Sequence, residues 1–491
     1  MNDESSKPGK RPSGTGKSAH RPADRRGGPP PKRKAAPREA TGGGDSPPSR
    51  PSPPGLEARR LAVHLIEGVL TRGHALDTAL ASSDGNAAFS TLEARDRGFA
   101  RLIAATVLRH LGSLDAVIAG FLERPLPATS YRPRSILQIA AAQILYLGTP
   151  AHAAINLAVE QCRRDPRAER YAGLANAVLR RLASDGPRRL ADLPAPRTDI
   201  PDWIWRRWCA AYGDDIAAQI AAASLTEAAL DLSARSDAAD WATRLGGQLL
   251  DTGSIRLAEA GRIEDLPGFA EGAWWVQDAA ASLPVRLLGD VAGLSVADFC
   301  AAPGGKTAAL AAAGANVTAV DQSEDRIARL RENVDRLQIH DRVTFMRADI
   351  SRWRAGSPFD AVLLDAPCLS TGTIRRHPDL MHLKRSGDLA RIVAIQAKLL
   401  ARAAAVVRPG GRLLYCVCSL EPEEGEGIVE AFLSATPDFR RVPITATEVA
   451  GHGEWLTPTG DLRTFPHHTP GPGAIGMDGF YAARMERTAA H

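Results

Sequence analysis

The sequence predicts an α/β protein of the doubly wound class, with a separate all-α domain ahead of it. Three observations carry that prediction. From residue 276 onward, short β-rich runs alternate with helical segments, and such alternation builds a parallel sheet covered by helices on both faces. Residues 56–188, by contrast, repeat apolar side chains at three- and four-residue spacing with no convincing strand, the pattern of a helical bundle. Between the first strand and first helix of the alternating part lies CAAPGGKT, a glycine-rich turn of the kind that brings a ligand up to a helix N-terminus.

Taken in order, residues 1–55 hold twelve Lys/Arg and five Asp/Glu among prolines, glycines and serines, with almost no large apolar side chains. Such a stretch buries too little surface to offset chain entropy, so a disordered basic tail is expected, one that adds salt-sensitive affinity for RNA or simply solubilises the chain. The helical domain, residues 56–188, opens with LEARRLAVHLIEGVL, where Leu61, Leu65 and Val69 share a face, and closes with YAGLANAVLRRLA. PRRLADLPAPRTDIP is expected to link it to the middle of the chain. Residues 200–275 begin with the helix PDWIWRRWCAAYG and continue as a mixed α/β region. Residues 276–491 then run strand LSVADF, helix GKTAALAAA, strand NVTAVD, helix SEDRIARLRENVDRL, strand RVTFMRAD, strand FDAVLLDAP, helix RIVAIQAKLLARAAAVV and strand GGRLLYCVCS.

A chain of 491 residues, 44% of them hydrophobic, has room for two or three cores. No apolar run reaches the roughly eighteen residues of a membrane span, and no charged-then-apolar leader opens the chain. A cytoplasmic protein without a membrane partner is expected. The formal net charge of +5 is misleading, because residues 1–55 sum to +7 and the other 436 to −2. Any nucleic-acid surface on the folded body must be a local patch. Six cysteines (Cys162, Cys209, Cys300, Cys368, Cys416, Cys418) are too few and scattered for a disulfide framework. Four of them lie in the last two-fifths of the chain, but without the Cys-x-x-Cys spacing of a zinc site, so no metal is expected.

The glycine loop does not bind phosphates in the usual ways. A Walker A loop needs glycine five positions before Gly305, where the chain has Cys300, and Ala301, Ala302 and Pro303 break the dinucleotide G-x-G-x-x-G. What remains is Gly304-Gly305-Lys306 opening a helix beside a strand end. Asp321 ends the next strand sixteen residues beyond Gly305, Asp349 the third and Asp365 the fourth. Carboxylates at these carboxyl ends lie where open α/β sheets bind ligands, and the first is placed to hold ribose hydroxyls. A nucleoside cofactor without a phosphate cradle is predicted, and S-adenosyl-L-methionine fits.

Two strand ends carry thiols. In LLDAPCLSTG, Pro367 ends the strand and turns Cys368 into the cleft. In LLYCVCS, Leu414, Cys416 and Cys418 share one face, so alternation alone does not choose between the two thiols. Cys418 lies ~6.6 Å further toward the ligand-binding edge, which makes it the better nucleophile and Cys416 the buried hydrophobe. A thiolate beside a methyl donor suits carbon 5 of a pyrimidine. Thiolate addition to carbon 6 makes carbon 5 enamine-like; methyl transfer and loss of its proton then expel the thiolate. Asp365 and Cys368 are the candidates for the acid–base step.

DFCAAPGGKT, AVDQS, LLDAPCLSTGTIRRHPD and YCVCSLEPEE together resemble the signature segments of the NOL1/NOP2/Sun RNA cytosine-5 methyltransferases, most closely the bacterial RsmB-type subgroup. NAVLRR and the helical domain are similar to the NusB-like RNA-binding domain of that subgroup; VQDAAASLP and MDGFYAARM also look familial. The resemblance, over about residues 56–490, implies a Rossmann-like class I methyltransferase domain after a NusB-like domain. It implies that Cys300–Lys306, Asp321, Asp349 and Asp365 bind S-adenosylmethionine, that Cys418 is the covalent nucleophile, and that Cys368 assists release of the methylated base. The implied product is 5-methylcytosine in small-subunit (16S) ribosomal RNA, made by a monomer. The alternatives are a transfer-RNA methyltransferase and a non-catalytic ribosome assembly factor. The chain departs from the family at Val417, where threonine is usual, at Leu380-Met381-His382, where Ile-Lys-Trp is frequent, and at LSARS, where Leu-Arg-Val-Asn is more usual.

Smaller features complete the reading. Arg375 and Arg376, close after Cys368, are expected to hold RNA phosphates, and His377 to brace their loop. Trp203, Trp205 and Trp208, at helical spacing, fit a core better than a base-stacking platform. EPEEGE is expected to cap the helix after the catalytic strand.

Overall fold

In the computed structural model, which describes residues 52–86, 89–259 and 261–489, the apolar stripes of the first domain close on one another. They form α1 (Leu56–Arg72), α2 (Leu76–Ser82), α3 (Ala94–Arg109), α4 (Leu111–Ala119), α5 (Tyr131–Leu145), α6 (Ala151–Arg164) and α7 (Ala172–Ala191). Leu61, Leu65 and Val69 are buried in the shared core. The expected disordered tail falls almost wholly outside the described residues. α7 continues through Pro187 to Ala191, further than the proline-rich linker suggested. Leu182 and Leu190 still pack on the bundle there, so tertiary contact outweighs the missing proline N–H. Among the described residues no single helix is long and apolar enough to cross a membrane.

The middle region has α8 (Asp202–Tyr212) and α9 (Asp214–Ser224), then β1 (Leu230–Ala234), α10 (Ala238–Arg244), β2 (Gln248–Leu249), β3 (Ile255–Leu257) and β4 (Trp274–Val276). The four strands form an antiparallel sheet in the order β2-β3-β1-β4. Trp208 is buried, and Trp203 and Trp205 pack against the same cluster with Ile204, Met381 and Leu420, so the tryptophans are core.

The rest contains α11 (Ala279–Leu287), β5 (Ser295–Phe299), α12 (Gly305–Ala312), β6 (Asn316–Asp321), α13 (Glu324–Arg336), β7 (Val343–Arg347), β8 (Phe359–Asp365), α14 (Leu380–Leu383) and α15 (Asp388–Ala405). It ends with β9 (Val407–Val417), α16 (Glu426–Ala435), β10 (Phe439–Arg441), β11 (Leu462–Thr464) and β12 (Phe480–Arg487). The sheet order is β10-β12-β9-β8-β5-β6-β7, with β11 also on β12. β5 to β9 pair in parallel, and β12 runs antiparallel to β9. Strand order reverses about β5, which opens a crevice at the carboxyl ends of β5, β6 and β8. Alternation divides the sheet between two cores. Leu363, Leu414 and Cys416 face one, while Leu364, Tyr415 and Val417 face the other.

The helical domain reaches this crevice through the long loop after β8. The Asp379 carboxylate accepts the N–H of Leu76 at 3.0 Å, Arg109 donates to the carbonyl of Arg375 at 3.0 Å, and His382 donates to the carbonyl of Leu108 at 2.7 Å. Leu380-Met381-His382 is thus a docking segment, with Met381 buried.

Candidate active site

Register builds the site. β8 and β9 pair Asp365 with Cys416, and the buried Cys416 thiol points to the Asp365 carboxylate at 3.6 Å. Burial pushes that thiol well above its ordinary range, so Cys416 stays a neutral, small packing group. Cys418, two residues on, meets Cys368 with the sulfurs 3.5 Å apart. The hydrogen bond from Cys368 holds the Cys418 thiol below its ordinary value against the effect of burial, with Ser370 and Lys306 acting in the same direction. The same bond, and then burial, push Cys368 well above its ordinary value. Of the two thiols, Cys418 is therefore the more readily ionised.

Lys306 stands behind this pair. Its ammonium lies 2.7 Å from Asp365 Oδ2 and 5.1 Å from the centre of the Phe480 ring. Burial works against its charge, but Asp365 and the two cysteines of the strand end together outweigh it and hold the lysine above its ordinary value. Asp298, fully buried on β5, accepts from Thr307 Oγ1 at 2.6 Å. Burial pushes its carboxyl up to about 7.

A cavity of about 400 Å³ opens at the strand ends, within the range of small-molecule sites. Cys300, Ala302, Asp321, Asp349, Asp365, Cys368 and Cys418 all line it, with Ile350, Ile395 and Leu399 as an apolar wall. Ala301, Pro303, Gly304, Gly305 and Lys306 support the loop without lining the cavity. Gly304 has φ +110°, and a Cβ there would lie 2.2 Å from Leu330 Cδ1, so α13 rather than a ligand excludes a side chain. Cys300 turns the chain with φ +61°. Burial, followed by Asp365 and Asp321, pushes its thiol up to about 12, which leaves it unreactive. Asp321 accepts from the N–H of Ala302 at 3.3 Å and of Ser323 at 3.1 Å. Three carboxylates and an apolar wall fit a cationic nucleoside, with hydroxyls for Asp321 and a flat ring for the isoleucines.

Three further groups lock the site. Glu424, fully buried, accepts from Leu369 N–H and from Gln396 Nε2, both at 2.9 Å, and from Ser419 Oγ. Gln396 also donates to the carbonyl of Pro367 at 2.9 Å. Glu421, also buried, takes Arg207 of α8 and Thr371. The expectation that EPEEGE caps a helix is therefore corrected: only Glu426 lies in the first turn of α16, and it pairs with Arg463, while Glu421 and Glu424 turn inward to bind the loops of both thiols.

Arg375 and Arg376 are corrected as well. Arg375 is 3% exposed, and both guanidinium groups bind the buried carboxylates of Asp278 and Asp478. The arginines outweigh the cost of burial and hold Asp278 below the usual carboxylate range. This cluster ties the start of α11, the loop after β8 and the start of β12 together; Arg375 is enclosed in it, and Arg376, 20% exposed, is held by the same carboxylates. Val417 packs on the face opposite the thiols and does not line the cavity. His377 is half-exposed, 3.8 Å from Asp77. Among the described residues no cluster of three or more His, Cys, Asp or Glu side chains is arranged to hold a metal ion.

A doubly wound sheet with this strand order, carrying carboxylates and paired thiols around one nucleoside-sized cavity, defines an S-adenosylmethionine-dependent methyltransferase. The model of the 16S rRNA methyltransferase RsmB/F family matches residues 287–486, and the model of the NusB family matches residues 56–184. The chain belongs to the RsmB/F family and is an RNA methyltransferase with a NusB-like domain. It is 36% identical over 422 residues to ribosomal RNA small subunit methyltransferase B of Xanthomonas campestris, covering 82% of this chain and 94% of the relative. It is 34% identical to the protein of the same name from Pseudomonas putida, covering 89% and 99%. The crystal structure of PH0851 superposes with a TM-score of 0.66 at 23% identity, covering 89% of this chain and all of that one, which is a likeness of fold.

Proposed function

We propose that this protein forms 5-methylcytosine in small-subunit (16S) ribosomal RNA, in the cytoplasm, through a covalent Cys418 adduct at carbon 6. The ribosomal target follows from the names of the relatives. The chemistry rests on one observation: two thiols 3.5 Å apart share a cavity with the strand-end carboxylates, one held below its ordinary pKa and the other above.

S-adenosylmethionine supplies an electrophilic methyl group when bound, held by Asp321, Asp349, Asp365 and the Cys300–Lys306 loop. Cys418 Sγ adds to carbon 6 of the target cytosine, which must leave any base stack to enter the cavity. Carbon 5 gains electron density and takes the methyl group. Cys368 then removes the carbon-5 proton, the carbon 5–carbon 6 double bond re-forms, and the Cys418 thiolate leaves. The structure supports an order for these steps. The largest influence raising Cys368 is its bond to Cys418; once Cys418 is bonded to carbon, that bond is lost, Cys368 releases its proton to solvent more readily, and the resulting thiolate is the base that takes the carbon-5 proton. Asp365, at the end of β8, holds Lys306 and the Cys416 thiol and presents its carboxylate to the cavity. There it orients the exocyclic amine of the base.

Incubation with S-adenosylmethionine and 5-fluorocytidine-substituted 16S RNA tests the reading, because fluorine does not leave as a proton does. A protein–RNA adduct by mass, present in wild type and lost in Cys418→Ala, is expected. An adduct that depends on Cys368 instead, or none with any RNA, would overturn it.

A further inference from the structure

At the mouth of the cavity, α15 carries a stripe of cations to which the proposed reaction gives no role. Arg391, Ile395, Lys398 and Arg402 follow at spacings of four, three and four residues and so share one helical face. That face is open to water: Arg391 is 75% exposed, Ile395 37%, and Lys398 and Arg402 are exposed. Ile395 and Lys398 line the same cavity as Cys368 and Cys418. One residue round the helix, Gln396 faces inward and holds the carbonyl of Pro367. α15 therefore shows one side to the catalytic loop and the next to solvent, at the cavity mouth. Arg402 continues the stripe by donating to the carbonyl of Ser351 at 2.9 Å, in the turn where Arg352 and Arg354 are exposed.

Surface cations on a helix often serve solubility alone. The charge balance argues otherwise here. Residues 384–404 carry five Lys/Arg against Asp388 alone, whereas α13 carries four acidic and four basic residues. Asp388 approaches Arg391 at 3.5 Å, an exposed contact of little strength. Lys398 has no ion-pair partner among the described residues. This is a one-signed patch on a body whose residues after the tail sum to −2, the local patch that a nucleic-acid surface on such a body requires.

We propose that this stripe is the phosphate track for the substrate RNA. The strand carrying the target base lies along α15, with Arg391, Lys398 and Arg402 on its phosphates over roughly 16 Å of helix. The proposal rests on RNA being the substrate, as in the proposed function.

The test uses the full chain with Arg391→Gln/Arg402→Gln and with the triple variant that adds Lys398→Gln. RNA binding to a 16S transcript is read by filter retention over a series of salt concentrations, separately from methyl transfer, and S-adenosylmethionine affinity by calorimetry. The double variant is expected to weaken RNA binding roughly tenfold near 0.1 M salt and to flatten the log–log salt slope by about 1 to 2, with cofactor affinity changed less than twofold. Wild-type RNA affinity and salt slope in the triple variant would overturn the proposal. So would normal methylation of free RNA combined with lost activity on assembled subunits, which would assign the stripe to an acidic protein. A wild-type protein that binds RNA through the stripe but transfers no methyl group would overturn the proposed reaction and leave the track standing.

Discussion

The carboxylate of Glu424 accepts the backbone N–H of Leu369 at 2.9 Å, tying the residue after Cys368 to the segment beyond Cys418. Neither cysteine lies within a regular strand, so this tie, together with Gly372 N–H on the carbonyl of Cys418 at 3.1 Å and Leu420 N–H on Thr371 Oγ1 at 3.0 Å, holds the thiols at 3.5 Å. Glu424→Ala leaves Leu369 N–H, Gln396 and Ser419 without their buried acceptor and is expected to cost about 2–4 kcal/mol of stability. Glu424→Gln keeps the shape and loses the charge. It is expected to fold with a smaller loss while turnover falls at least tenfold, with cofactor affinity retained. Denaturant titration, steady-state kinetics and calorimetry on the two variants check this.

The two thiols should fail differently. Cys418→Ala is expected to abolish methyl transfer and adduct alike. Cys368→Ala is expected to form the adduct on ordinary RNA and release it slowly, so covalent protein–RNA complex accumulates. Denaturing gels of both variants with unmodified transcript separate the outcomes.

Asp298 makes stability depend on pH. Its folded pKa of about 7 lies above the unfolded value near 4, so the folded state binds the extra proton. Its contribution is fully present below about pH 4 and is lost as pH rises toward 7 and beyond. Asp298→Asn keeps the acceptor for Thr307 and removes the titration. Denaturation midpoints from pH 5 to 8 are expected to fall with pH in wild type and to fall less in the variant.

Arg375→Ala removes one of the two cations that the buried carboxylates of Asp278 and Asp478 share, leaving Arg376 alone against both, and is expected to cost about 3 kcal/mol. Because the arginine is enclosed, Arg375→Lys is expected to lower stability while leaving the salt slope of RNA binding unchanged. Thermal melts and filter retention distinguish this brace from a phosphate contact.

The legible part of the site came from periodicity and from strand ends. Asp321, Asp349, Asp365, Cys368 and Cys418 converge because parallel strands present their carboxyl ends at one edge, and Cys418 was separable from Cys416 by its position along β9. Glu424, Glu421, Asp278 and Asp478 were not legible as parts of the site. A carboxylate beside a helix start looks like a cap, and only the fold shows that Glu424 turns inward to Leu369, 55 residues away. Arg375 and Arg376 were misplaced for the same reason: their partner Asp278 lies about a hundred residues earlier in the chain. Burial and long-range pairing decide such charges, and neither leaves a local pattern.

The hold that Leu76 has on Asp379 spans 303 residues of chain. Synthesis runs from the amino end, and domains fold as they emerge, so the helical ledge is ready long before the loop that docks on it. The thiols come last of all, since β12 and the Asp478 brace must arrive before the loop after β8 is fixed. A nascent chain thus carries the cavity-lining residues of β5, β6 and β8 before the Asp478 brace that fixes the loop of Cys368 has been made.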